Sequence, residues 1–193
     1  MKKQNRLIII GAGGHAKSCI ELIESQNKYS IYGIVDKSNK KKFMNYRIIG
    51  NDDELKNFRS KVENLVIGIG QIKDFLTREK FFKLGKKLNF KFPNLISKTA
   101  IISKKTFLGE GSAIFHNVII NSNVKIGENC IINNGSLVEH DCVIGNNTHV
   151  STGVIINGNV NIGKNCFIGS GTIISNSINI PNNSFIKFGS KIY

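Results

Sequence analysis

The sequence contains no tryptophan, only two prolines, and four cysteines with no CxxC spacing between any of them. It therefore indicates neither a zinc site nor a disulfide framework, and we expect no metal. Near the amino terminus only four consecutive apolar residues, Leu7–Ile10, precede a glycine. This run is too short for a signal peptide or a membrane span, and no other stretch approaches ~20 apolar residues. We therefore expect a soluble, cytoplasmic protein without membrane insertion.

Acidic residues are also few, with 13 Asp and Glu against 27 Lys and Arg, which gives a net charge of +14. This balance suits an anionic partner, although a lysine-rich composition inherited from an AT-rich genome explains it equally well. Aromatic residues are scarce for a base-stacking groove and no arginine cluster is present, so nucleic acid is disfavoured as a partner. A membrane surface and phosphate-bearing small molecules remain as candidate anionic partners.

Large aliphatic residues recur every six positions through the second half of the chain. Every sixth residue from Ile96 to Ile192 is Ile, Leu or Val, and a second six-step series from Ala100 to Thr172 is almost uniformly small. This period does not match the 3.6-residue repeat of a helix. It describes a prism of short parallel strands in which three hexapeptides form one coil, with coils stacked ~4.8 Å apart. Three cysteines occupy small inward positions, where we expect them to be buried and unreactive: Cys130, Cys142 and Cys166.

The first half of the chain alternates strand and helix patterns, which predicts a small parallel sheet. Pro93 marks the boundary, giving domains at 1–92 and 93–193. The predicted strands cover 6–10, 29–36 and 64–70, and the predicted helices cover 18–25, a short segment from Asp52 or Asp53, and 71–89.

A glycine turn follows the first predicted strand. Gly11, Gly13 and Gly14 leave backbone N–H groups accessible at a helix amino terminus, which is a phosphate-binding arrangement. Ala16 stands where the dinucleotide fingerprint has its third glycine, and Asp36 is the acidic residue at the end of the second strand. Because the unit is short, a mononucleotide fits better than NAD. Alternatively, the glycines serve only tight strand–helix packing.

The order of motifs is distinctive: GAGGHAK (11–17), IGIG (67–70), FPNLI (92–96), and hexapeptide repeats containing EHDCVIG (139–145). It resembles the sialic acid O-acetyltransferase and UDP-4-amino-sugar N-acetyltransferase family of hexapeptide-repeat acyltransferases. The resemblance covers nearly the whole chain. It implies a Rossmann-like βαβ domain followed by a left-handed parallel β-helix, and a homotrimer whose acetyl-CoA sites lie between adjacent subunits.

The resemblance also implies roles for individual residues. His140 matches the general base, Asp141 the acidic residue that raises its basicity, and His149 a contact of acetyl-CoA. The nucleotide-sugar contacts of the family fall on the glycine loop and on the ends of the first strands. These positions are Gly11, Gly13, Gly14, His15, Asp36, Lys37 and Gly70.

Coil geometry supports this site independently of the resemblance. Gly158 follows His140 by one 18-residue coil, so it lies directly above the histidine and leaves an accessible backbone N–H for an oxyanion. His149, half a coil away, lies on a different side of the prism. It reaches the same site only if a neighbouring subunit brings the two sides together.

Three other interpretations remain. His140 could be a solvated turn residue, as we expect for His116, which holds the same repeat position. A zinc-dependent carbonic anhydrase of the same fold needs a close HxxxxH pair, and the chain has none. A non-catalytic sugar-nucleotide-binding or regulatory protein is the third. Relatives usually continue into a GxPAK-like segment, whereas this sequence ends at SFIKFGSKIY, so the resemblance leads us to expect weaker CoA binding.

The resulting prediction is acetyl transfer from acetyl-CoA to a UDP- or dTDP-linked 4-amino sugar of a bacterial surface glycan. The alternative acceptor is the hydroxyl of a sialic-acid-like sugar.

Overall fold

The computed structural model describes residues 5–72 and 74–193, which divide into two compact units. The first unit contains the chain up to Gly70 together with Leu76–Pro93. The second contains Gln71–Phe75 and Asn94–Tyr193. The assignment of a nucleotide-sugar-binding role to residues 1–92 and an acyltransferase role to residues 93–193 stays a prediction.

The first unit is built on a five-stranded sheet in the order β3-β4-β2-β1-β5. All neighbouring strands are parallel except β3 and β4, which form a hairpin. The strands are β1 (Arg6–Ile10), β2 (Ser30–Val35), β3 (Lys42–Phe43), β4 (Tyr46–Gly50) and β5 (Asn64–Ile67). The three predicted strands correspond to β1, β2 and β5, and the hairpin was not predicted. Parallel strands with helical crossovers confirm the Rossmann-like class.

Three α-helices accompany this sheet: α1 (Gly14–Gln26), α2 (Leu55–Phe58) and α3 (Leu76–Lys87). A 3-10 turn at Asp52–Glu54 precedes α2, and Asn51 and Glu54 form a capping box at its start. Helix α1 begins four residues before the predicted start, directly after the glycine turn.

The prediction of a helix over 71–89 was wrong at its amino-terminal end. Gln71 belongs to the second unit, where its Nε2 donates to the backbone oxygens of Asn147 (2.8 Å) and Cys166 (3.2 Å). Gln71 is therefore engaged in tertiary hydrogen bonds, and α3 begins at Leu76. At the other end, Asn89 has a φ of 60°, a left-handed conformation that stops the helix.

The second unit is a left-handed parallel β-helix made of two-residue strands that recur every six residues. Three sheets form its sides, and each strand pairs in parallel with the strand 18 residues further on, as Ile120 does with Val138. The strands are β6 (Leu95–Ile96), β7 (Ile101–Ile102), β8 (Phe107–Leu108), β9 (Ala113–Ile114), β10 (Ile119–Ile120), β11 (Lys125–Ile126), β12 (Ile131–Ile132), β13 (Leu137–Val138), β14 (Val143–Ile144), β15 (His149–Val150), β16 (Ile155–Ile156), β17 (Asn161–Ile162), β18 (Phe167–Ile168), β19 (Ile173–Ile174), β20 (Asn179–Ile180), β21 (Phe185–Ile186) and β22 (Lys191–Ile192). The predicted fold class is confirmed.

The interior of the β-helix is filled by the aliphatic series and the small series. The three cysteines of the small series are fully buried, as predicted. They are more than fillers, because each thiol donates to a backbone oxygen 15 residues further on, Cys142 to Asn157 at 3.1 Å for example. Ser136 and Thr148 make the same link with a hydroxyl. Small inward donors therefore connect successive coils.

Among the described residues, no helix is long and apolar enough to cross a membrane.

Candidate active site

The glycine turn joins β1 to α1 in the first unit. Gly11 has a φ of 97° and its N–H donates to Val35 O at 2.8 Å, so this glycine is required by the backbone. Gly13 and Gly14 differ, because φ is not positive at either residue and an added Cβ would meet no atom within 4 Å. Internal packing therefore gives no reason for these two glycines. Their open faces lie at the amino terminus of α1, which has no acidic residue in its first turn.

Asp36 holds this loop in place from the end of β2. Its Oδ2 accepts from the Ala12 N–H and its Oδ1 from the Ser38 N–H, both at 2.8 Å. Partial burial acts to raise the pKa of Asp36, but the hydrogen bonds from Ser38 and Ala12 outweigh it and the pKa is lowered. Lys37 beside it is exposed. The predicted nucleotide contact at Asp36 is thus also a structural clamp on the glycine loop.

His15 lies in the first turn of α1 beside Gly70, where an added Cβ would come within 3.3 Å of His15 Cβ. Its Nε2 is 3.5 Å from the thiol of Cys19, whose pKa burial raises to about 12. Buried Arg78 was not singled out in the sequence. It donates to Ile67 O (2.7 Å) and Ile69 O (2.9 Å), which fixes the segment leading to Gly70. The predicted nucleotide-sugar residues therefore gather after the carboxyl ends of β1, β2 and β5.

His140 lies at the corner of the β-helix that follows β13, with its side chain 59% exposed. Its Nδ1 is 2.8 Å from Oδ2 of Asp141, whose side chain is 49% exposed. Since a carboxylate only accepts hydrogen bonds, Nδ1 carries the proton in this pair. In the neutral imidazole, Nε2 then keeps its lone pair, which a general base requires.

Asp141 has a second partner, Asn123, which lies one coil earlier. The Nδ2 of Asn123 donates to Oδ1 of Asp141 at 2.7 Å. The hydrogen bonds from Asn123 and then from His140 lower the pKa of Asp141, so the carboxylate stays ionised at neutral pH. The sequence carried a signal for Asn123, because it precedes Asp141 by one coil.

Gly158 lies directly above His140, as the coil length predicts. An added Cβ would be 2.7 Å from Cε1 and 2.8 Å from Nε2 of His140, so only glycine leaves room for the ring in this position. Gly158 is buried, contrary to the accessible residue predicted from the sequence, because the imidazole packs against it. Its N–H donates to no acceptor among the residues that the structure describes.

His149 lies in β15, on a different side of the β-helix from His140, as predicted. Its side chain is buried rather than open to a ligand, with the residue 7% exposed. Nδ1 is hydrogen-bonded to the backbone oxygen of Gln71, and the ring lies edge-on to Phe167 at a centroid distance of 5.2 Å. Contact of His149 with acetyl-CoA stays a prediction.

His116, at the same repeat position as His140, has no carboxylate partner of this kind. Its Nδ1 is 2.8 Å from Ser97 Oγ. In residues 5–72 and 74–193, no group of three or more His, Cys, Asp or Glu side chains is placed to hold a metal ion.

Two family models match the sequence. Residues 6–83 match the PglD N-terminal domain, and residues 105–140 and 141–176 match the bacterial transferase hexapeptide model of six repeats. No curated protein sequence matches the chain significantly.

Solved structures similar to this chain span both units. PerB from Caulobacter crescentus, in complex with CoA and GDP-perosamine, is 29% identical with a TM-score of 0.90, over 97% of this chain and 88% of that one. The acetyltransferase domain of PglB from Neisseria gonorrhoeae, in complex with acetyl coenzyme A, is 24% identical with a TM-score of 0.90, over 98% and 93%. WeeI from Acinetobacter baumannii is 23% identical with a TM-score of 0.75, over 96% and 93%. The last two likenesses concern the fold alone. The chain belongs to the hexapeptide-repeat transferases in which a PglD N-terminal domain precedes the β-helix.

Proposed function

We propose that the protein transfers the acetyl group of acetyl-CoA to the 4-amino group of a nucleotide-linked sugar, with His140 as general base. The observation that carries this proposal is the His140–Asp141 pair. It presents an exposed imidazole whose Nδ1 is hydrogen-bonded to a carboxylate and whose Nε2 lies against a glycine. A turn residue needs neither the carboxylate partner nor the glycine one coil above.

The transfer follows from this geometry. The amine attacks the thioester carbonyl carbon, and Nε2 of His140 takes the proton that the nitrogen loses. Asp141 stabilises the resulting imidazolium through Nδ1–H. The C–S bond then breaks, and the proton on Nε2 is available to the departing thiolate of CoA. We assign the oxyanion contact to the Gly158 N–H, which is unused within the described chain.

The first unit supplies the second half of the proposal. Gly13 and Gly14 face open space at a helix amino terminus, where backbone amides and the helix dipole favour a phosphate group. The net charge of +14 favours both polyanionic substrates. Gly11, His15, Asp36, Lys37 and Gly70 complete the residues that we assign to the nucleotide sugar.

PerB supports this substrate class, because its structure contains CoA and GDP-perosamine and its sequence is 29% identical over 97% of this chain. GDP therefore joins UDP and dTDP as a candidate nucleotide. Since acetyl-CoA and nucleotide sugars are cytoplasmic metabolites, we assign the reaction to the cytoplasm.

We further propose that the active form is a homotrimer. One side of the β-helix carries outward aliphatic side chains from β7 to β19, and several are exposed: Ile101 (66%), Ile119 (37%) and Ile173 (38%). A continuous apolar face of this kind indicates a protein interface. A neighbouring copy also provides the means to bring a His149-bearing side near a His140 corner.

The test is thiol release from acetyl-CoA with UDP-, dTDP- and GDP-linked 4-amino sugars, and with a free sialic acid. An N-acetyl product survives mild base, whereas an O-acetyl ester is hydrolysed. Turnover on one amino sugar with a base-stable product is the expected result. Turnover on the sialic acid alone would indicate that the acceptor group is a hydroxyl and not an amine. Saturable nucleotide-sugar binding without turnover would indicate a non-catalytic sugar-nucleotide-binding protein.

A further inference from the structure

Asp141 occupies a corner position that the β-helix otherwise fills without a charge. The backbone there is left-handed, with φ at 61°. The other β-helix residues with positive φ in the described chain are Asn, Gly or Ser: Gly111, Asn117, Asn123, Asn129, Gly135, Asn147, Gly153, Asn159, Asn165, Gly171, Ser177, Asn183 and Gly189. Asparagine tolerates this conformation as well as aspartate does, so the fold gives no reason for an acid at 141.

Asparagines at these corners form ladders along the β-helix. In the column of Asn129, Asn147, Asn165 and Asn183, each Nδ2 donates to Oδ1 of the residue one coil later, at 2.8, 3.2 and 3.1 Å. An amide both accepts and donates, so such a ladder continues through any number of coils. In this column the asparagine side chains act as hydrogen-bond partners of one another.

The ladder at the His140 corner ends differently. Asn123 donates to Oδ1 of Asp141 at 2.7 Å, in the same way as its counterparts. A carboxylate has no hydrogen to pass on, and Oδ2 of Asp141 is instead 2.8 Å from Nδ1 of His140. Asn159, one coil above, donates to Ser177 in the same direction as the other ladder bonds, so it does not occupy Oδ2 of Asp141. One carboxylate oxygen is therefore held by the ladder and the other is left for the imidazole.

We propose that Asn123 is a positioning residue of the His140–Asp141 pair. The terminal torsion of an aspartate is soft, and both side chains of the pair are about half exposed, so water competes for each oxygen. With Oδ1 fixed by Asn123, the carboxylate plane keeps Oδ2 on Nδ1–H. This inference rests on the proposed function only in treating His140 as the base, since the geometry itself concerns the tautomer of the ring.

The variant that tests it is Asn123→Gly. Glycine accepts the φ of 62° at this position, so only the amide is lost. Asn165→Gly is the control, because Asn165 has a φ of 61° and loses the same type of bond to Asn183 in the other column. It also loses the bond that it accepts from Asn147, so it disturbs the β-helix at least as much as Asn123→Gly does. Thermal unfolding of both variants checks that the β-helix is equally intact.

Nitrogen-15 NMR of the His140 ring is the first readout and needs no substrate. Asn123→Gly is expected to shift the neutral tautomer from Nδ1–H toward Nε2–H, and Asn165→Gly to leave it unchanged. An unchanged tautomer in Asn123→Gly overturns the proposal. Because this readout is independent of turnover, it separates failure of the positioning role from failure of the acetyltransferase assignment.

Kinetics provide the second readout. Asn123→Gly is expected to lower kcat about threefold to tenfold, the range of one ordinary hydrogen bond, with KM for both substrates unchanged. In an Asp141→Asn background the same substitution is expected to have no further effect on kcat. An equal loss in both backgrounds would show that Asn123 acts through the fold and not through Asp141, and would overturn the proposal.

Discussion

At the scale of single residues, the site depends on which atoms of His140 are already engaged. Asp141 accepts from Nδ1 at 2.8 Å, and Gly158 leaves the space in which the ring lies. The pair is exposed, so we expect Asp141 to orient the imidazole and stabilise its charged form rather than to stabilise the fold. Removing the charge should therefore affect the reaction and spare the structure.

Asp141→Asn is expected to lower kcat about tenfold or more, because the imidazolium loses its counter-charge and the ring loses its preferred tautomer. The unfolding midpoint should stay within about 2 °C of the wild type, since asparagine readily adopts the left-handed backbone conformation of this corner. Surface substitutions of this kind also change stability little. Steady-state kinetics and a thermal melt on the same sample check both parts. Unchanged kcat would remove Asp141 from the site.

Asp36 gives a pH-dependent prediction. Burial acts to raise its pKa, but the hydrogen bonds from Ser38 and Ala12 lower it below 3.8, so the folded state favours the carboxylate. The stabilisation is fully present above the unfolded pKa and is lost as the pH falls through the lower folded pKa. The stability difference between wild type and Asp36→Asn should therefore shrink between pH values of about 6 and about 3.

Urea unfolding of both proteins across that range measures this difference. A difference that does not change with pH would mean that the Asp36 charge contributes nothing to holding the glycine loop.

At the scale of elements, two kinds of glycine lie near the carboxyl ends of β1 and β5. Gly68 is required by packing, since its Cβ would be 2.7 Å from Ile9 Cγ2 and 3.0 Å from Ala16 Cβ. This close approach also explains why Ala16 serves where the fingerprint has a third glycine. Gly14 has no such neighbour within the described chain, so packing does not explain it, and the proposed nucleotide-sugar contact is the reason that we test.

Gly14→Ala is expected to leave the free energy of unfolding unchanged or to raise it by up to ~1 kcal/mol, because alanine restricts the unfolded chain and fits the helix. Binding of the nucleotide sugar should weaken at least about tenfold, since a methyl group at the helix amino terminus obstructs the phosphate. Isothermal titration calorimetry and urea unfolding give the two values. Unaltered binding would show that the loop does not contact the nucleotide.

The sequence predicted these elements to different extents. The β-helix followed from a six-residue period that no other regular structure produces, and the place of Gly158 over His140 followed from the coil length. The β3–β4 hairpin was missed because Met44 adopts a φ of 49° at its turn, which is unusual for methionine. The late start of α3 was also missed. It depends on hydrogen bonds from Gln71 to residues 76 and 95 positions away, which no local pattern encodes.

At the scale of the whole molecule, the chain combines an α/β unit, to which we assign the nucleotide sugar, with a β-helix that has exposed aliphatic side chains on one side. The fold positions His149 away from His140 and buries it beneath Gln71. A role for His149 in the same reaction therefore requires a second copy of the chain. Whether His149 can contribute to the His140 site thus depends on the oligomeric state.

Ile119→Glu is expected to dissociate the trimer, because a charge in an apolar interface is costly to bury. Asn161→Glu adds the same charge to an exposed polar position on another side of the β-helix and should leave the trimer intact. Analytical ultracentrifugation distinguishes the two. A wild type that sediments as a monomer would contradict the homotrimer and, with it, a shared site.

The measurement that tests the central claim most directly is the turnover of acetyl-CoA with the preferred nucleotide-linked amino sugar by wild type, His140→Ala and His116→Ala. His140→Ala should lose about 100-fold or more in kcat, the usual contribution of a general base, while its affinity for the nucleotide sugar is retained. His116→Ala, which removes an imidazole from the same repeat position, should keep wild-type turnover. Equal turnover by all three proteins would contradict the assignment of His140 as the base.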